Sequence, residues 1–235
     1  MRKPRPEKPS RGMLAGWSLA SATRLRSDLL VSYDKTVIPQ YMADEPVEVQ
    51  LAMSAQKILN LDLSTDTLQI HTWLTMTWTD VRLKWDPEDY GVSSVRLPVK
   101  ELWTPDITNY GSVDQDSTYV PIMGNAVISS DGQVHYVTPW TLRTSCVVLP
   151  PGEEKWNCTV KLGSWVYDGY SMDVKNTADT MDTSSFQMDR RWEVVSAEAH
   201  RHVAVYLCCP EPYIDVSYAL VLQRRMPTSS PSLQH

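Results

Sequence analysis

Two adjacent cysteines flanked by tyrosines, in the run Tyr206-Leu207-Cys208-Cys209-Pro210-Glu211-Pro212-Tyr213, are the residues whose types and spacing point most directly to chemistry. A disulfide between neighbours closes almost no loop, so it removes little entropy from the unfolded chain and adds little global stability. A rigid tip carrying two amphipathic aromatic rings is suited instead to touching a ligand. Cys146 and Cys158 bracket eleven residues. Closing a loop of that size is worth about 3 kcal/mol in the chain-entropy model, and the pair reads as the staple of a hairpin. A zinc site there would need further ligands at fixed spacing, and the chain has no C-x-x-C. His200 and His202 stand two apart on a predicted strand, so both share a face, but no third ligand lies near them and no metal is expected. There is no G-x-S-x-G, no H-E-x-x-H and no phosphate loop. The expectation is a binding protein rather than an enzyme, with no cofactor.

Bulk composition narrows the partners. With 235 residues and 42% hydrophobic side chains, the chain is long enough for a sizeable core. Its aromatics are skewed, with nine Trp and eleven Tyr against a single Phe. Trp and Tyr combine a large apolar face with a polar edge, which suits interfaces and ligand cages. Residues 1–26 hold seven basic and one acidic side chain, net +6, so residues 27–235 carry 15 basic against 27 acidic, net −12. An acidic folded part argues against nucleic acid and favours cationic partners. An even cysteine count suggests an oxidising compartment.

The elements that must position these residues follow from periodicity. Leu25, Leu29 and Tyr33 recur every four residues, predicting one short amphipathic helix that ends before Pro39. Everything after it alternates. Val47, Val49, Leu51 and Met53 form one apolar face, and Leu68, Ile70, Leu74, Met76 and Trp78 form another. Val81, Leu83 and Trp85 follow in the opposite parity, which requires a bulge or turn near Thr79-Asp80. Val216, Tyr218, Leu220 and Leu222 alternate again, and Asp86-Pro87, Asp131-Gly132 and Pro151-Gly152 mark turns. The predicted fold is all-β: an antiparallel, immunoglobulin-like β-sandwich with a short N-terminal helix. Residues 1–22 read as a leader, either a signal peptide cleaved after Ala20-Ser21-Ala22 or a disordered segment. Residues 23–225 are the β-sandwich domain, 174–190 a long exposed loop, and 226–235 a polar tail. Asn157-Cys158-Thr159 is a glycosylation sequon that overlaps a cysteine. No stretch approaches the ~18 apolar residues of a membrane span.

Five motifs in order carry a family resemblance: Trp78-Thr79-Asp80 with Leu83 and Trp85; Trp103-Thr104-Pro105-Asp106 with Tyr110; the Cys146/Cys158 pair; Gly163-Ser164-Trp165-Val166-Tyr167-Asp168-Gly169; and the Tyr-x-Cys-Cys run with Tyr213. From about residue 23 to 225 the chain resembles the acetylcholine-binding proteins and the extracellular domains of nicotinic-type (Cys-loop) pentameric receptors. The resemblance implies a homopentamer with ligand sites between subunits. On the principal face it points to Tyr110, Ser164, Trp165, Tyr206 and Tyr213, with disulfide-bonded Cys208 and Cys209 at the tip of a mobile flap. On the complementary face it points to Trp78 and, in the 125–137 hairpin, to Asn125, Val127, His135 and Val137. The parity of Trp78 matches Leu74 and Met76 and turns it inward, while the switch just after it permits the outward placement that the resemblance implies. Lys161 and Asp215 match a charge pair behind the flap, and Asp106 is expected to tie its turn to the Trp165 loop through backbone hydrogen bonds.

The ligand class has an independent physical basis. A quaternary ammonium cannot donate a hydrogen bond, so a protein holds it with the negative faces of aromatic rings, each contributing ~0.5–2 kcal/mol. The expected ligands are acetylcholine, nicotine-like amines and other quaternary ammonium ions. Two binding classes compete: a secreted, soluble, extracellular protein, and the ectodomain of a ligand-gated channel. In the channels the bracketed loop is two residues longer and apolar at its tip, with a Phe-Pro-Phe run. Here it reads Val-Val-Leu-Pro-Pro-Gly-Glu-Glu-Lys-Trp-Asn, and Arg224-Arg225 lead into a polar segment, so the soluble form is the expectation. A structural sandwich of the immunoglobulin type would predict no cation affinity and no five-fold ring. The chain also lacks that class's Cys…Trp…Cys spacing across the sandwich.

Overall fold

The period-two apolar runs become long strands because each buries one face and wets the other. The computed structural model describes residues 19–42, 44–150 and 154–225. Helix α1 (Leu19–Leu30) opens the described chain and buries Leu25 and Leu29. Strands β1 (Val47–Asp62) and β2 (Thr67–Thr79) pair antiparallel, and β6 (Gln133–Val148) pairs with the other edge of β2. Two short strands, β3 (Ser94–Pro98) and β5 (Asn125–Ser129), extend this sheet beside β6. The second sheet contains β4 (Ile107–Asn109), β7 (Lys155–Ser164), β9 (Trp192–Tyr206) and β10 (Cys209–Arg224). At its end β6 crosses between the sheets, where Cys146 to Val148 pair with Cys158 to Trp156 and the Cys146–Cys158 disulfide locks the crossover. The result is the expected β-sandwich.

All the alternating positions named above as apolar faces on β1, β2 and β10 are buried. Thr72 interrupts the inward row of β2 without penalty because its hydroxyl donates to the Trp140 carbonyl at 3.0 Å. The parity break after Thr79 is a turn. Asp80 caps a single 3-10 turn, Val81–Leu83, so these residues are not a further strand. The 174–190 region differs from the expected loop. β8 (Met172–Asn176) lies parallel to β1, with Met172 and Val174 in the core, and Met181 is buried farther on. An Asp- and Ser-rich composition concealed these anchors. Leu19 to Ala22, part of the expected leader, belong to α1. Residues 1–18, the tail 226–235 and the Pro151-Gly152 turn lie outside the described residues.

A buried polar knot joins the end of β2 to the segment after α1. The fully buried Asp80 carboxylate accepts from the Arg82 backbone N–H at 3.0 Å, the Arg82 guanidinium at 2.7 Å and the Tyr33 hydroxyl at 2.7 Å. The Tyr33 oxygen in turn accepts the Trp103 backbone N–H at 2.9 Å. Trp103 then packs edge-on against Trp78, centroids 6.1 Å apart, and against Tyr167 at 6.3 Å. Tyr167, two residues beyond Trp165, thus packs on this aromatic pair.

Candidate functional site

Three segments converge at one end of the second sheet. Tyr110 follows β4, Ser164 ends β7 with Trp165 just after it, and the β9–β10 hairpin brings Tyr206, Cys208, Cys209 and Tyr213. Cys208 and Cys209 are joined to each other at the hairpin tip. Between the rings lies a cavity of about 380 Å³ lined by Tyr110, Lys161, Ser164, Trp165, Tyr206, Tyr213, Ile214 and Asp215. Tyr110 and Trp165 meet edge-on at 6.1 Å, and Tyr206 and Tyr213 are tilted at 5.6 Å. Trp165 is 65% exposed, so the cavity has one aromatic wall open to whatever packs beside it.

Local chemistry explains why the rings stand there. Gly163 leaves room for Tyr110: a Cβ at that position would sit 2.5 Å from the Tyr110 hydroxyl oxygen. That hydroxyl donates to the Ser164 carbonyl. Asp106 accepts from the Ser164 hydroxyl at 2.6 Å and from the backbone N–H groups of Trp165 and Val166, each at 2.9 Å. The expected tie between the Asp106 turn and the Trp165 loop is therefore present, with a side-chain bond in addition. Behind the rings, Lys161 Nζ lies 3.1 Å from Asp215 Oδ2 and 6.0 Å from the Tyr110 ring centroid. Burial, reinforced by the Asp215 and Asp106 carboxylates, pushes the Tyr110 phenol well above its ordinary range and keeps it a neutral donor. Ile214 also lines the cavity, and nothing in the sequence motifs marked it.

The complementary set divides. Asn125 and Val127 on β5, and His135 and Val137 on β6, share the outward face of the first sheet, with Val127 paired to His135. Trp78 does not join them. It is 2% exposed, facing the core beside Trp103, so the inward parity shared with Leu74 and Met76 prevails over the outward placement. The tryptophan on the outward face is Trp73, 47% exposed. It pairs with Pro139, next to Thr75 paired with Val137 and Thr77 paired with His135. Thr77 Oγ1 and His135 Nδ1 are 3.1 Å apart. Sequence reasoning missed Trp73, although its parity, opposite to Leu74 and Met76, was the signal that could have found it.

Other features lack a ligand-directed arrangement. His200 Nε2 is 3.1 Å from Glu198, and no group of three or more metal-ligating side chains occurs among the described residues. In a larger concavity of about 740 Å³ at the end of α1, most of the lining charges are already engaged. Arg26 pairs with Glu101 at 2.6 Å, and Lys35 donates to the Lys100 carbonyl at 2.9 Å. No helix among the described residues is long and apolar enough to cross a membrane.

Comparison with known proteins agrees with this geometry. The profile of the neurotransmitter-gated ion-channel ligand binding domain matches residues 22–226. The chain is 36% identical over 209 residues to acetylcholine receptor subunit alpha-type acr-16 of Caenorhabditis elegans, covering 86% of this chain and 41% of that protein. It is 34% identical over 209 residues to human neuronal acetylcholine receptor subunit alpha-9, covering 87% and 43%. It is 32% identical over 211 residues to rat neuronal acetylcholine receptor subunit alpha-10, covering 87% and 46%. The chain thus spans less than half the length of these relatives. With this cavity set on a sandwich that the profile matches over residues 22–226, the chain belongs to the neurotransmitter-gated ion-channel ligand-binding domain family.

Proposed function

We propose that this chain is the subunit of a secreted, soluble homopentamer that binds acetylcholine-like cations without chemical conversion. The observation that carries the reading is the convergence of four aromatic rings around one cavity of about 380 Å³, a size suited to a small ammonium ligand. Each ring contributes ~0.5–2 kcal/mol to a desolvated cation, so together they supply much of the ~8 kcal/mol of a micromolar complex. The open face of Trp165 is completed by a neighbouring subunit. Trp73, Val127, His135 and Val137 supply that complementary wall, since they share an outward face that the subunit itself leaves uncovered. Five identical head-to-tail contacts close into a ring. The hairpin carrying Tyr206 and Tyr213 closes over the ligand and excludes water. A protonated amine adds a hydrogen bond to the Trp165 carbonyl that a quaternary ion lacks.

The soluble reading rests on the charged Glu-Glu-Lys tip of the disulfide-bracketed loop, which suits water rather than a membrane domain. The channel-ectodomain reading is favoured by a different observation, the receptor-subunit relatives that are more than twice the matched length. Titrating the sized protein with carbamoylcholine, following tryptophan fluorescence and heat together, tests the cage. Saturation near one ligand per subunit on a particle of five subunits' mass is expected. Absence of binding on an intact five-subunit particle would refute the ligand class, and a monomer would refute the interfacial site. Recovery of the native protein from the membrane fraction rather than the extracellular fluid would decide for the channel.

A further inference from the structure

Asp215 is unusual among the residues behind the cage. It is 2% exposed, and only one of its two carboxylate oxygens is engaged, by Lys161 at 3.1 Å. Oxygen Oδ1 is buried with no hydrogen-bond partner among the described residues. A buried carboxylate oxygen left unpaired is costly, and a charged donor within reach is strongly favoured. The β9–β10 register sets His202 directly opposite Asp215. Directly paired residues of an antiparallel ladder project to the same face, with Cβ atoms about 5 Å apart, which an imidazole spans by changing rotamer. The His202 side chain is exposed and makes no hydrogen bond or ion pair among the described residues.

We propose that His202 is a proton-sensing positioning residue. Its imidazolium captures the free oxygen of Asp215 and places a second positive charge behind the aromatic cage. The proposal rests on the reading of that cage as a cation site. The surroundings leave His202 as the group free to do this. On its own strand, His200 is engaged by Glu198 at 3.1 Å, and Arg201 is turned to Asp173 at 2.6 Å and the Val174 carbonyl. On β10 the flanking residues are Tyr213 and Ser217, and beyond β10 the facing charge is Lys161 on β7. With a neutral imidazole the cavity has only the Lys161–Asp215 pair behind it. An imidazolium adds one positive charge, which opposes a cation in the cavity and competes with Lys161 for Asp215. The imidazolium contact also ties β9 to β10 at the base of the flap, so acid weakens the ligand while tightening the empty hairpin.

The test uses tetramethylammonium, whose charge does not change with pH, and the assembled protein. Between pH 8 and pH 5.5 the wild-type affinity falls about three- to fivefold, the scale of one added charge acting through a mixed protein–water path. That fall shrinks in high salt. His202→Gln binds as tightly as wild type at pH 8 and loses the acid-side fall, while His200→Gln keeps it. Persistence of the wild-type profile in His202→Gln overturns the proposal. A second readout needs no ligand. The melting temperature of wild type minus that of His202→Gln grows as pH drops, because an imidazolium that gains a partner stabilises the fold on the acid side. Replacing Asp215 by Asn abolishes this growth. A constant difference overturns the His202–Asp215 contact. If tetramethylammonium fails to bind wild type at pH 8, the cation-site reading falls, and the positioning role falls with it.

Discussion

Replacing the two tryptophans of β2 in turn separates the proposed ligand wall from the core beneath it. Trp78 is 2% exposed and meets Trp103 edge-on at 6.1 Å. Truncating a buried tryptophan to alanine costs about 3–5 kcal/mol, and the lost edge-on pair adds ~0.5–1.5 kcal/mol. Against a total stability of about 5–15 kcal/mol, Trp78→Ala leaves the subunit marginal or unfolded. Trp73, 47% exposed and five residues earlier on the opposite face, has little core to lose. Trp73→Ala is expected to change unfolding stability by no more than about 0.5 kcal/mol. Its cost is instead one aromatic ring of the cage, ~0.5–2 kcal/mol, or roughly a 2- to 30-fold weaker complex. The assay pairs urea unfolding followed by circular dichroism with carbamoylcholine titration of the sized protein. Trp78→Phe, which keeps an aromatic ring in the core, serves where Trp78→Ala fails to fold. The reasoning is refuted if Trp73→Ala binds as wild type while a folded Trp78→Phe loses affinity.

Other perturbations probe the supports of the cage. Asp106→Ala removes three hydrogen bonds from the Trp165 loop. With bonds to a charged acceptor worth about 1.5–3 kcal/mol each, affinity should fall at least tenfold while the strands stay folded, which titration and circular dichroism check together. Gly163→Ala sets a Cβ 2.5 Å from the Tyr110 hydroxyl oxygen and 2.9 Å from its Cζ, so the ring must leave its place. Loss of one ring contact weakens carbamoylcholine several-fold, about 0.5–2 kcal/mol, and unchanged affinity would show that Tyr110 does not wall the site. Burial is the largest cause holding the phenols of Tyr33, Tyr110 and Tyr218 above their ordinary range. Their raised values mean that stability is intact below about pH 10 and declines above it as the unfolded tyrosines ionise, by up to ~1.4 kcal/mol per pH unit for each phenol. Urea unfolding across pH 8 to pH 11 reads this decline, and a flat profile would contradict the buried, neutral state of all three.

The sequence by itself determined the strand faces and the crossover disulfide, and its contiguous motifs named the aromatic residues that line the cavity. These depend on local regularities: alternation along β1, β2 and β10, paired cysteines, and aromatic residues embedded in contiguous motifs such as Gly163-Ser164-Trp165. Such signals survive because a strand's period is set by backbone geometry alone. Only the tertiary structure decided which tryptophan of β2 faces outward, since Trp73 and Trp78 each fit an alternating row and just one row meets the second sheet. It also decided that Met172, Val174 and Met181 anchor a polar stretch, because their burial depends on β1 lying alongside. The placement of His202 opposite a half-paired Asp215 was equally invisible in the one-dimensional order, thirteen residues apart around a hairpin whose register is fixed only by pairing. Long-range register and the choice of buried face are collective outcomes of packing, which no local spacing encodes.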